Sequence, residues 1–65
     1  MDKQQIGIRL VELRGEKSRE RVAADLEISL SALVLYETGK RVPIDAIKIS
    51  IAKYYKKTVQ ALFFN

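Results

Sequence analysis

The sequence predicts an all-α fold, a compact five-helix bundle, on three observations. Apolar residues recur at steps of three and four along most of the chain, the spacing that stacks side chains on one helical face. Ile47, Ile49 and Ile51 also alternate as a strand would, but a lone strand has nothing to pair with. At 65 residues the chain is one domain, 1–65, and so small a domain has barely enough surface to bury a core, for which a helical bundle is the economical arrangement.

The first helix is expected from Asp2 or Lys3 to Arg14, with Ile6, Leu10 and Leu13 on its inner face and Gly15 breaking it. Ser18 is an N-cap residue type and opens a second helix, Arg19 to Leu26, in which Val22 and Leu26 lie four apart. Ala23 beside them is small enough for a close helix crossing. Ser29 opens a third helix, Leu30 to Thr38, with Leu33 and Tyr36 inward, and Gly39 supplies the left-handed conformation that commonly ends a helix. The second and third helices with their tight turn read as a helix-turn-helix. Lys40-Arg41-Val42-Pro43 is then an extended connection.

A fourth helix is predicted from Ile44 to Lys56, with Ile47, Ile51 and Tyr55 on one face. Thr58 caps a short fifth helix that carries Val59, Leu62 and Phe63 inward. Tyr55 and Phe63 are core candidates, whereas Phe64 has no inward slot.

Composition narrows the function. A content of 48% hydrophobic and 31% charged residues fits a globular chain and excludes a disordered tail. There is no cysteine and no histidine, which removes disulfides, thiolate chemistry, most zinc sites and imidazole catalysis. No acid pair sits in a plausible cleft and no glycine loop could cradle a phosphate, so no enzyme activity, cofactor or metal is expected. No apolar run reaches membrane-span length and the N-terminus lacks an apolar signal stretch, so a cytoplasmic protein without a membrane partner is expected. The formal net charge of +4 is unevenly spread: residues 18–39 hold two basic and four acidic groups, residues 40–65 six and one. The positive surplus begins where the helix-turn-helix ends. Lys48, Lys53, Lys56 and Lys57 read as a solvated helix face.

Several fragments in order resemble one family. Leu13-Arg14 closes the first helix, Ser18-Arg19 and Ala23 mark the second, and Tyr36-Glu37-Thr38-Gly39-Lys40-Arg41 ends the third. Ile51-Ala52-Lys53, then Val59 and Leu62-Phe63, look like the last two helices. Over nearly its whole length the chain resembles the lambda-repressor-like, Cro and Xre-type DNA-binding domains. The Arg14 to Ser18 loop and the Val42-Pro43-Ile44-Asp45 join resemble a subset common among phage and mobile-element repressors. Two departures stand out. Glu27 occupies the turn where the family usually has glycine, so it must accept an unusual backbone angle or reshape the turn. Leu30, Val34 and Leu35 stand where many members carry polar base-reading side chains.

The resemblance implies a sequence-specific transcriptional regulator of double-stranded DNA, a repressor, with its third helix in the major groove. The outward face would be Leu30, Ser31, Val34 and Leu35 behind the Ser29 cap, with Ala32 near the groove floor. Ser31 can hydrogen-bond several base edges, while aliphatic side chains pack only on a thymine methyl, so direct readout is expected to be weak. Phosphate contacts fall to Arg19, at the family's clamping position beside the helix N-terminus, and to Thr38, Lys40 and Arg41. Arg14 and Glu37 are implied to pair across the first and third helices. An exposed Phe64 beside Ile49 or Tyr54 would suit a homodimer, the usual way this fold reads paired half-sites. The alternative is a protein-binding module on the same scaffold, an antitoxin or antirepressor, meeting a protein partner through the third helix or the C-terminal aromatic end.

Overall fold

The structure, a computed structural model, describes residues 2–64. They form α1 (Lys3–Arg14), α2 (Arg19–Leu26), α3 (Leu30–Glu37), α4 (Asp45–Tyr54) and α5 (Val59–Phe63), with no strand among the described residues. The alternating isoleucines are therefore helical. Four helices begin on a side chain that accepts a backbone N–H three residues on: Asp2 from Gln5, Ser18 from Arg21, Ser29 from Ala32 and Thr58 from Ala61. Each such cap satisfies a donor that the helix itself leaves unpaired. The start of α4 has no side-chain cap and follows the buried Pro43.

Three helices end in the same way. After α2, the N–H of Ile28 bonds the carbonyl of Ala23 at 3.0 Å and that of Glu27 bonds Ala24 at 3.1 Å. After α3, Lys40 bonds Leu35 at 3.0 Å and Gly39 bonds Tyr36 at 3.3 Å; after α4, Lys57 bonds Ala52 at 2.9 Å and Lys56 bonds Lys53 at 3.1 Å. This paired pattern is the Schellman motif, and its pivot residue is left-handed. The pivots are Glu27 (φ 58°), Gly39 (φ 76°) and Lys56 (φ 57°). Glu27 thus takes the glycine-like angle rather than reshaping the turn. Lys56 explains why α4 stops at Tyr54, short of the Lys56 expected from spacing, and Thr38 closes α3 one residue earlier than expected.

The main core gathers Ile6, Leu10, Tyr36, Ile51, Ala52, Leu62 and Phe63, with Leu13, Ile47 and Val59 partly buried against it. A smaller cluster of Val22, Ala23 and Leu33 holds α2 on α3. Leu26, Ile28 and Tyr55 pack on both clusters and make them continuous. Ala32, which the resemblance placed near the groove floor, packs against the main core instead. Gly7 is where α1 meets the end of α3: a Cβ there would lie 2.6 Å from the carbonyl oxygen of Glu37. No helix among the described residues is long and apolar enough to cross a membrane.

Candidate nucleic-acid interface

The face of α3 that the core leaves free starts at its capped N-terminus. The Ser29 hydroxyl oxygen accepts from the Ala32 N–H at 3.0 Å, which commits it to the helix start. Leu30 is 41% exposed, and Ser31 is exposed with no hydrogen-bond partner for its hydroxyl among the described residues. Val34 and Leu35, one turn on, are half-buried. The exposed Thr38 donates its hydroxyl proton to the Val34 carbonyl at 2.7 Å, so it meets any ligand mainly as an acceptor. Along this stripe Ser31 carries the uncommitted polar group, and the rest is aliphatic.

A shallow cleft of about 410 Å³ runs between the N-termini of α2 and α3, lined by Arg14, Ser18, Arg19, Glu20, Leu30 and Val34. It brings three of the expected site residues together: Arg19, Leu30 and Val34. It also adds Glu20, an acid that opposes an anionic ligand at the same edge. Two of the lining residues, Arg14 and Arg19, belong to an ion triad. Glu37, whose side chain is 0% exposed, accepts from Arg14 Nε at 2.8 Å and from Arg19 Nε at 2.7 Å, one arginine on each carboxylate oxygen. Arg14 also donates to the Lys17 carbonyl at 2.8 Å. One carboxylate therefore ties the end of α1, the start of α2 and the end of α3.

The Arg14 and Glu37 pair follows the expectation from sequence. Arg19 does not stand free as expected, because its Nε is held by Glu37. Two features keep it useful at a surface. Its side chain is 37% exposed, and its Nη groups have no protein acceptor among the described residues. A guanidinium anchored through Nε still presents N–H groups to a second acceptor. The signal that could have revealed the second partner is that Glu37 is the only acid in α3, with arginines at the ends of both helices that pack on it.

Lys40 and Arg41 leave α3 exposed and without an acidic partner among the described residues, their N–H groups both bonded to the Leu35 carbonyl. The structure fixes this loop to the Leu35 carbonyl near the C-terminal end of α3, while Arg19 shares a cleft with Leu30 and Val34 and is bonded to Glu37, the last residue of α3.

Two other polar groupings were not apparent from sequence. The Tyr54 hydroxyl donates to Asp25 Oδ2 at 2.6 Å and accepts from Lys17 Nζ at 3.2 Å, while Arg21 Nε bonds both Asp25 oxygens. The Tyr54 hydrogen bond, joined by the Arg21 and Lys17 charges, holds the Asp25 carboxyl below its ordinary range. This clasp ties α4 to α2 through Tyr54. Lys48 is also not the solvated cation expected. It is only 13% exposed, 3.8 Å from Asp45, with its ammonium 4.7 Å from the centre of the Phe64 ring and 5.8 Å from that of Phe63. Tyr55 lies close enough to Glu37 to feel its charge; burial, with that charge adding, pushes its hydroxyl up to about 12.

No family model, curated protein or solved structure matches the chain.

Proposed function

We propose that this chain is a lambda-repressor-like helix-turn-helix domain that binds double-stranded DNA and regulates transcription, acting as a repressor. In this reading α3 enters the major groove and α2 crosses the backbone above it. The observation that carries it is the arrangement of charge around α3: an outward stripe with Arg19 beside Leu30 and Val34, and with Lys40 and Arg41, which have no acidic partner among the described residues, leaving its C-terminal end. Phosphates on either side of a groove would meet those cations, while Leu30, Ser31, Val34 and Leu35 face the bases. Ser29 and Thr38 border this surface as caps of α3. The Arg14, Glu37 and Arg19 triad fixes how α2 sits on α3, which sets the distance between backbone and groove contacts.

One observation favours a protein-binding module instead. Glu20 shares the cleft with Leu30 and Val34, so the surface is aliphatic and only partly cationic. Binding to random duplex across a salt series separates the two readings. Phosphate contacts release counterions, so the DNA reading gives an affinity that falls steeply with salt. No binding at low salt supports the protein partner.

A two-fold dimer belongs to the same proposal, supported by Ile44, Ile49 and Phe64, large apolar side chains left exposed just before α4, on α4 and at the end of α5. Solution sizing with and without duplex tests it. A chain that stays monomeric in both conditions contradicts the dimer.

A further inference from the structure

We infer that the α3 surface selects thymine-bearing base steps through their C5-methyl groups. The inference rests on the DNA-binding reading above and names which feature of the duplex that surface recognises.

The available chemistry of the stripe leads to it. A polar recognition surface distinguishes bases by presenting donors and acceptors to their edges, and bidentate side chains such as Arg, Asn or Gln do this best. Here none stands on α3. The Ser29 oxygen is engaged as a helix cap and the Thr38 proton is bonded to the Val34 carbonyl, which leaves Ser31 as the side chain of this face with no hydrogen bond among the described residues. Beside Ser31, Leu30 is exposed and Val34 and Leu35 are half-buried, all three aliphatic. In the major groove the apolar feature that separates one base pair from another is the C5-methyl of thymine. A stripe of methyls with one hydroxyl is complementary to that feature and to little else there.

Charge placement favours DNA as the occupant of this apolar face. Leu30 and Val34 line the same cleft as Arg19, so methyl contact and phosphate contact come from one site. At the C-terminal end of α3, the Leu35 carbonyl receives the backbone N–H groups of Lys40 and Arg41, which ties the cationic loop to the last aliphatic residue of the stripe. An apolar surface with one cation beside it and two more at its C-terminal exit suits a groove floored by methyls and walled by phosphates.

The test uses sites that the full chain enriches from a random duplex library, resynthesised with deoxyuridine in place of thymine. This removes the methyl and leaves every donor and acceptor unchanged. Each methyl packed on α3 corresponds to about a fourfold change in affinity, since one buried carbon group gives that factor. The expected result is a loss of fourfold or more in the uracil duplex, with no change in salt dependence. Leu30→Ser should shrink that loss, and because Leu30 is exposed the variant should keep its helical signal and melting temperature. Equal affinity for the thymine and uracil duplexes overturns the inference while leaving DNA binding intact. So does a pool that binds with steep salt dependence but enriches no thymine-containing site. Absence of any duplex binding at low salt overturns the DNA reading and the inference with it.

Discussion

Glu27 holds a backbone conformation that costs a non-glycine residue roughly 1–2 kcal/mol, and it does so because α2 must stop and turn within three residues of α3. Glu27→Gly relieves that strain and loses part of the gain to the freer unfolded chain. The expected outcome is a net stabilisation of about 0.5–1 kcal/mol, seen as a melting temperature raised by a few degrees in a circular-dichroism melt. Gly39 behaves oppositely. Its φ of 76° is left-handed, and a Cβ there would meet Gln4 Cα at 2.9 Å, so Gly39→Ala meets both strain and backbone overlap. A loss of about 2 kcal/mol or more is expected, and an unchanged melt would contradict this geometry. Glu37 is the residue on which three helices converge. Glu37→Ala leaves two guanidinium groups at a partly buried site without their acceptor, which should cost about 3 kcal/mol in urea denaturation.

Between elements, the clasp from Tyr54 to Asp25 couples α4 to α2 in a way that titrates. The folded Asp25 gives up its proton more readily than in the unfolded chain, so the unfolded state binds more protons near that range. Its contribution is complete above the unfolded carboxylate value and is lost as pH falls through the lower folded value. Tyr54→Phe should therefore be less stable than the parent chain at neutral pH, with the difference shrinking in acid below about pH 4. Chemical denaturation at a series of pH values measures this directly. A constant gap across the acid range would mean that the hydroxyl contributes by packing alone.

The helices themselves were legible because their signals are local: Ser18, Ser29 and Thr58 cap where their residue type suggests, and Ile6, Leu10, Leu33 and Tyr36 are buried as their spacing requires. What the sequence did not disclose depends on which elements meet. Ala32 lies close to the outward residues in sequence yet packs inward, and Arg19 gains a partner only because α2 starts beside the end of α3. Lys48 is covered because two aromatic rings return to it from the end of α5. The Lys56 pivot likewise carries no residue-type signal, since a lysine is not an expected left-handed residue.

At the scale of the whole molecule, Tyr55 reports on the core because it packs on both apolar clusters. Its folded hydroxyl titrates at about 12 against an ordinary value of about 10. The folded state thus keeps a proton that the unfolded state releases. That contribution is whole below pH of about 10 and is lost as pH rises through about 12, so alkaline unfolding should begin in this window. Tyr55→Phe cannot ionise and should flatten that limb in a denaturation series.

The charge of the molecule is divided between a net-negative α2 and α3 segment and a cationic stretch that follows it, so duplex affinity should reside in Arg19, Lys40 and Arg41. The most direct measurement is the salt dependence of random-duplex affinity for the parent chain, for Arg19→Ala, for a Lys40→Ala and Arg41→Ala double variant, and for Lys53→Ala on the exposed side of α4. The account predicts a steep negative slope for the parent chain and for Lys53→Ala. It predicts a slope reduced by about one for each phosphate contact removed in the other two. A flat slope for the parent chain, or slopes in the Arg19 and Lys40-Arg41 variants equal to that of Lys53→Ala, would contradict it.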